Sequence, residues 1–388
     1  MRRSYWHVGF TINVNVYINF KLAHPFWYYN SSQLSFPPNG LARKTAIGQH
    51  SVDKKIMIKP GKATITDIAK RVNMTTVTVS RALNRPEKVK KETLAQILKV
   101  ARELNYVPNA FARNLKSRES RLFGFVTASL DNPFYGEIIK AITREAKKRE
   151  YSLMLFDTDG SPELEARAID TLLSYQVAGI ILSVISDDDD YRPSYLPKLE
   201  MADIPVVQID RKLADAPFAG VYLDNQESGY RGICALLDQG HRHFLVVGGP
   251  ERSNITLSRL EGIRKALAEF PEPTSLDVLH GDYTQAPARE AVGEYLASGK
   301  RPDAIFGLNI LITLGALEAI RFHGISREDI QLFSIDQVPY ADLYGEPIPC
   351  ISHDTYGLGV CAINMLLKKI DDPDHVSSDE VVTGQLQS

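Results

Sequence analysis

Three cysteines in 388 residues, Cys234, Cys350 and Cys361, show no paired spacing. That excludes a disulfide framework and a cysteine zinc site, and fits a reducing compartment. Long apolar runs are missing as well. No stretch approaches the roughly 20 residues that a membrane helix needs, and Asn13, Asn15 and Asn19 interrupt the best candidate. Arg2 and Arg3 look like the start of a secretory signal, but no clean apolar segment or small-residue cleavage site follows. The chain also lacks a Gly-x-Gly-x-x-Gly fingerprint, a Gly-x-x-x-x-Gly-Lys phosphate loop and a Gly-x-Ser-x-Gly elbow. These absences argue against a nucleotide-dependent enzyme and a serine hydrolase. No catalytic residues, no cofactor and no metal site are expected.

The net charge is only −2, yet it is unevenly spread. From Met57 to Ser120 there are fourteen Lys/Arg against five Asp/Glu, so the remaining chain is acidic by comparison. A basic module on an acidic body is the electrostatic footprint of phosphate contact. Within that module, Thr64 with Asp67 three residues on is a helix-capping pattern. Ile68, Ala69 and Val72 follow on one helical face. Asn73 stands where this helix must turn sharply, and Asn tolerates the left-handed conformation. Thr75 caps a second helix with Val79, Ala82 and Leu83 inward. A third amphipathic helix carries Leu94, Ile97, Leu98, Ala101 and Leu104 on one face. Three short helices can close a small core. The arrangement reads as a helix-turn-helix DNA reader; an ordinary helical hairpin is the competing reading. On the outer face, Thr76, Val77 and Arg81 are expected to read bases, since small side chains let a helix sink into the major groove and Arg pairs with guanine edges. Thr75, Thr78 and Ser80 are expected mainly to hold phosphates.

Two strings carry a more specific signal. Thr-Val-Ser-Arg-Ala-Leu-Asn at 78–84 and Glu-Leu-Asn-Tyr-Val-Pro-Asn-Ala-Phe-Ala-Arg-Asn-Leu at 103–115 resemble the lactose-repressor (LacI/GalR) family of bacterial transcription regulators. The resemblance runs over roughly residues 62–386, with separate motifs in the family's order. Residues 1–56 fall outside it. They are rich in Tyr, Trp, Phe and Asn and are read as a non-native or disordered extension, with translation expected to begin at or near Met57. Intact-mass measurement of the natively expressed protein would refute this by showing the Met1 tail. The headpiece is expected at 57–108 and a hinge at 109–120. A helix as short as 109–116 is marginal alone. The resemblance implies that it folds on DNA beside its dimer mate, with Asn109, Ala112 and Leu115 at the duplex and Leu115 wedged into the minor groove.

From Arg121 onward, short apolar runs alternate with helix-length segments. Candidate parallel strands lie at 122–126, 152–156, 179–182, 205–209, 244–247, 304–306 and 331–335. This is the rhythm of a doubly wound α/β fold. About 268 residues suit two lobes better than one core. The resemblance implies a type I periplasmic-binding-protein architecture with three crossings, near Leu223, near Ser352 and close to the C terminus. Lobe 1 is then about 121–223 plus 353–380, and lobe 2 about 224–352 plus the C terminus. The acidic run Asp187–Asp190 reads as a solvated loop.

Ligands of open α/β sheets sit beyond the carboxyl ends of strands. Phe134 and Tyr135 there can pack on the face of a sugar or base, and Asp210 ends a strand. Arg259 matches the family's effector-binding arginine, and its forked guanidinium suits a carboxylate, phosphate or vicinal diol. Tyr283 matches a ring-stacking position; Asn309 and Asp336 match positions that bind sugar hydroxyls. The sequence departs from the family at several places. Leu308-Asn309-Ile310 stands for Ala-Asn-Asp, Gln337 for a second Asp, and Asn73 for the Gly of the helix-turn-helix turn. The short Arg-rich ending is absent.

The expected function is a cytoplasmic, sequence-specific transcription regulator, a repressor, that binds a near-palindromic operator as a homodimer. A carbohydrate-like effector (sugar, sugar phosphate or sugar acid) would sit between the lobes and control it. A secreted sugar receptor is the alternative that the body alone would suggest; the basic module and the lack of a signal peptide oppose it. An enzyme on a Rossmann-like body is the third, opposed by the missing cofactor motifs.

Overall fold

The computed structural model describes residues 63–107, 120–345 and 347–387. The expected extension at 1–56, the start at Met57 and the hinge residues Asn109, Ala112 and Leu115 lie outside them.

The headpiece is built on local hydrogen bonds that its sequence specifies. Helix α1 (Ile65–Val72) begins in a complete capping box: Thr64 N donates to Asp67 Oδ2 at 2.9 Å, and Asp67 N donates to Thr64 Oγ1 at 3.3 Å. Those bonds from Thr64 hold the Asp67 carboxyl below its ordinary pKa. The helix stops at Asn73, whose φ of 53° is left-handed, and Met74 N closes the turn onto Ala69 O. Helix α2 (Thr76–Asn84) starts on the Thr75 side chain, which accepts from Thr78 N. After a 3-10 turn at Pro86–Lys88 comes α3 (Lys91–Glu103). The core is Ile68, Ala69, Val72, Val79, Ala82, Ile97 and Ala101, with Leu83, Leu94 and Leu104 packed around it. Leu98 is a correction: it is 38% exposed. Ile97 and Ala101 form the inward stripe, and Leu98 lies about 100° around the helix from Ile97.

The rest of the chain forms two six-stranded sheets of matching plan. In the first, β1 (Leu122–Thr127) pairs with β2 (Ser152–Asp157) on one side and β3 (Gly179–Leu182) on the other. The sheet continues through β4 (Val206–Ile209), β5 (Gly220–Leu223) and β11 (Glu380–Val382), all parallel. In the second, β6 (His243–Gly248) lies between β7 (Ser275–His280) and β8 (Ala304–Gly307), followed by β9 (Gln331–Ile335) and β10 (Cys350–Ser352). Its far edge is β12 (Gln385–Gln387), antiparallel to β10. Helices α4 (Phe134–Lys148), α5 (Pro162–Ser174) and α6 (Leu196–Met201) belong to the first lobe; α7 (Asn225–Asp238), α8 (Asn254–Glu269), α9 (Gln285–Ala297) and α10 (Ile310–Phe322) belong to the second. Helix α11 (Thr355–Asp371) returns to pack on α4, β3, β4 and β5.

The chain therefore changes lobe after β5, after β10 and between β11 and β12. The first two crossings are built alike. Asp224 and Asp354 each N-cap the helix that follows, accepting from Glu227 N and Gly357 N. All seven strands expected from apolar runs are present. The sequence reading missed β5, β7, β10, β11 and β12. Four of these are three or four residues long, and β7 is a half-buried edge with alternating polarity.

Candidate functional site

Two surfaces of the molecule have the makings of a site. One is the outer face of α2. Thr76, Val77 and Arg81 are exposed, Val77 by 61%. The hydroxyls of Thr75 and Thr78 lie 2.9 Å apart and share a proton, and Ser80 Oγ accepts from Asn84 Nδ2. Thr78 and Ser80 are only half-buried, so their hydroxyls remain within reach of a partner.

The other is a narrow cavity of about 30 Å³ between the lobes, well below the several hundred Å³ of a filled ligand pocket. Phe134, Tyr135, Asp210, Arg259, Tyr283, Asn309 and Asp336 all line it, together with Asn132, Arg211 and Ile255. Strand ends position only some of them. Asp210 and Asp336 directly follow β4 and β9, and Asn309 caps α10 just beyond β8. Tyr283 lies three residues past β7. Phe134 and Tyr135, expected beyond a strand end, instead open α4, and Arg259 is on the second turn of α8.

Asp210 and Asp336 occupy equivalent places in the two lobes, and each has the left-handed φ of 66°. That backbone turns each carboxylate out of its strand toward the cavity; Asp is among the few residues that adopt it readily. Tyr135 OH donates to Asp210 Oδ2 at 2.9 Å and lies 2.8 Å from Ser183 Oγ. Burial raises the pKa of both Asp210 and Tyr135; for Asp210 it outweighs the opposing pull of Arg211 and Arg259. Asp336 Oδ1 lies 2.7 Å from His353 Nδ1, and His353 Nε2 lies 3.0 Å from Ser228 Oγ.

Arg259 is brought to the cavity by close helix packing. At Gly229 of α7, a Cβ would come within 2.0 Å of Arg259 O; at Gly262 of α8, within 1.9 Å of Gln226 O. Only glycine at both contacts lets the helices meet this closely. Arg259 Nε then donates to Asn225 Oδ1 at 2.9 Å, and Nη1 donates to Leu308 O. Asn309 is held at both ends: its Oδ1 accepts from Ile312 N and its Nδ2 donates to Tyr283 O. Tyr283 OH meets Ser253 and Thr256, each at 2.6 Å. Its ring already carries the Arg211 guanidinium 4.9 Å from the centroid. The ring face expected for ligand stacking is thus shared with this cation.

Arg211 was missed in the sequence, although it stands next to Asp210 in the Ile-Asp-Arg string. Its Nη1 donates to Val184 O and Ile185 O at 3.3 and 2.6 Å. Burial alone would lower its pKa; the neighbouring Tyr135 and Asp210 reverse this and raise it.

The acidic run is a second correction. Asp189 and Asp190 are exposed as expected, but Asp187 is buried and the run bridges the lobes. Asp187, 3% exposed, accepts the Ile255 N–H at 2.7 Å, and its carbonyl accepts from Asn254 Nδ2 at 2.6 Å. Ile255 is in the first turn of α8, where backbone N–H groups have no partner within the helix. The other lobe supplies one. Arg252 pairs with Asp188 at 3.1 Å and with Asp190. Among the described residues there is no cluster of His, Cys, Asp or Glu able to hold a metal ion, and no helix long and apolar enough to cross a membrane.

Comparison with known proteins agrees with this division. Residues 120–386 match the model for periplasmic binding proteins and the sugar-binding domain of the LacI family. Residues 64–109 match the bacterial regulatory proteins of the lacI family. The HTH-type transcriptional repressor PurR of Histophilus somni (strain 129Pt) is 30% identical over 317 residues, 80% of this chain and 93% of that protein. The ribose operon repressor of Haemophilus influenzae is 27% identical, covering 80% and 93%. Among solved structures, the lac repressor dimer bound to operator and the anti-inducer ONPF superposes with a TM-score of 0.71 at 24% identity, over 84% of this chain and 98% of that one. The Cra regulator of Pseudomonas putida with fructose 1-phosphate gives 0.63 at 19%, over 70% and 99%.

Proposed function

The chain belongs to the lacI family of bacterial regulatory proteins, and we propose that it is a sequence-specific transcription repressor controlled by a small-molecule effector bound between its lobes. One observation carries this: a helix-turn-helix with an exposed Thr76-Val77…Arg81 face shares a chain with an inter-lobe cavity lined by two arginines, two aspartates and three aromatic residues. It acts as a homodimer on a near-palindromic operator in the cytoplasm, as a regulator and not an enzyme.

In this reading Thr76, Val77 and Arg81 meet base edges, while Thr75, Thr78 and Ser80 meet phosphates. Asn109, Ala112 and Leu115 form the hinge contact with the duplex. Phe134, Tyr135, Asp210, Arg259, Tyr283, Asn309 and Asp336 form the effector site. The Ser228–His353–Asp336 chain is not a catalytic triad: Ser228 is buried, and its hydroxyl already donates to Asp224 O. The effector class follows the relatives, which include a ribose operon repressor and a regulator solved with fructose 1-phosphate. A ligand controls operator affinity only by binding one lobe arrangement better than another.

Selection of bound sites from random DNA tests the reading. Two inverted half-sites are expected, lost in Arg81→Ala. Recovery of no motif above background contradicts it.

A further inference from the structure

The cavity is too small to admit an effector with the lobes as they stand. About 30 Å³ is room for roughly one or two water molecules, against the several hundred Å³ that an organic ligand fills. The lobes must part before anything larger enters. The bonds that cross between them therefore decide how readily the cavity opens.

Beside the cavity, the crossing bonds gather on one loop. Residues 184–191 of the first lobe meet the start of α8, and the turn before it, in the second. Asp187 accepts the Ile255 N–H, and Asn254 Nδ2 donates to both Asp187 O and Asp189 Oδ1. Arg252 pairs with Asp188 and Asp190. This contact forms the rim of the cavity. Ile255 and Arg211 line it, and Arg211 also donates to Val184 O and Ile185 O in the loop. The Arg252 pairs are exposed and add little, because water screens them. The bond from Ile255 N to the buried Asp187 carboxylate is charge-assisted and is the strong one.

The same loop is held from behind. Glu165 of α5 is fully buried and takes three donors. Its Oε1 accepts from Ile185 N at 2.7 Å, and its Oε2 accepts from Tyr191 OH at 2.6 Å and Tyr195 OH at 2.8 Å. Ile185 and Tyr191 bracket the acidic run, so one carboxylate fixes the loop on both sides of Asp187. Burial pushes the Glu165 pKa up, against the pull of those donors. Burying a carboxylate is costly. Neither Glu165 nor its two tyrosines line the cavity, so contact with a ligand does not account for them.

We propose that loop 184–191 is a clasp that gates the inter-lobe cavity, with Asp187 as its closing bond and Glu165 as the positioning residue that presents Asp187 to α8. This rests on reading the cavity as the effector site. It adds that residues which never touch the effector set how fast it enters and leaves.

Thiol labelling of the full chain tests the gate with no effector present. A reporter substitution, Phe134→Cys, places a thiol on the cavity wall, where N-ethylmaleimide is too large to reach it until the lobes part. Mass spectrometry reads its labelling against that of Cys350, a native buried thiol that does not line the cavity and reacts only when the body loosens. Adding Asp187→Ala should speed reporter labelling at least tenfold, and Arg252→Ala with Asn254→Ala severalfold, with Cys350 unchanged. Glu165→Leu should match Asp187→Ala, and Glu165→Gln, which keeps an acceptor, should stay near the parent rate. Glu165→Leu combined with Asp187→Ala should be no faster than either alone, since both act through one bond. A multiplied rate in that combination would overturn the positioning role of Glu165. Reporter rates equal in all these proteins would overturn the gate. Equal acceleration of Cys350 would overturn it too, by showing that the substitutions loosen the whole body. Each of these failures leaves the effector-site reading intact, because that reading is tested separately, by loss of a ligand's thermal shift in Arg259→Ala.

Discussion

On the outer face of α2, Thr76, Val77 and Arg81 extend into solvent, and the Arg81 guanidinium has no partner among the described residues. In the inter-lobe cavity, the six polar residues assigned to the ligand are already bonded to other protein groups. Tyr135 holds Asp210, His353 holds Asp336, Asn225 and Leu308 hold Arg259, and Asn309 caps a helix while holding Tyr283 O. The first surface is a set of ends waiting for a partner. The second is a preorganised shell in which each side chain's orientation is set before anything binds. Substitution on the first should remove one contact and little else. Substitution in the second should disturb neighbours as well.

The largest expected effect lies in the cavity. Arg259→Ala removes a buried cation that also braces Asn225 and Leu308 O. It should weaken effector binding at least about 100-fold, erasing about 2.3 of the roughly 2.7 kcal/mol of ligand stabilisation at a concentration 100 times the wild-type Kd. Ligand-free DNA affinity should stay the same; an undiminished thermal shift would show that Arg259 is not in the site. Next is the bridge between lobes. Asp187→Ala leaves a helix N–H without its charged acceptor and should cost about 1.5–3 kcal/mol. Hydrogen exchange should show faster exchange of the Ile255 amide than in the wild type, and equal rates would mean that the bridge does not form in solution. Arg81→Ala should cost about 1–3 kcal/mol on the operator and nearly nothing on random DNA. Equal loss on both would make Arg81 a phosphate contact instead. The smallest effect is Thr75→Ala, about 1 kcal/mol of headpiece stability from a lost N-cap. Calorimetry should place it in the headpiece transition and leave the body's transition unmoved.

The two regions were not equally legible in the sequence. Headpiece structure is set by neighbours in the chain: Thr64 and Asp67 cap each other, Asn73 turns, and Thr75 restarts. Signals three or four residues apart can be read directly. The long parallel strands were legible for the same reason, as unbroken apolar runs. What the sequence concealed depends on contacts across large separations. Asp187 reads as one acid in a run of four until the second lobe brings the start of α8 to it. His353 carries no local signal, because Asp336 and Ser228 come from different strands and helices of the fold. Arg211 did carry one, as the residue after a strand-ending Asp. Leu98 misled because an apolar residue at the edge of a helical stripe reads the same whether or not a partner covers it.

Effector control requires that the two regions be coupled, and one titration measures that coupling. Fluorescence anisotropy would follow the full chain on an operator recovered by selection, with and without a saturating ligand found by thermal shift. The predicted result is an operator affinity changed at least tenfold by the ligand, with the change abolished in Arg259→Ala. An operator affinity identical with and without a ligand that demonstrably fills the wild-type cavity would contradict it.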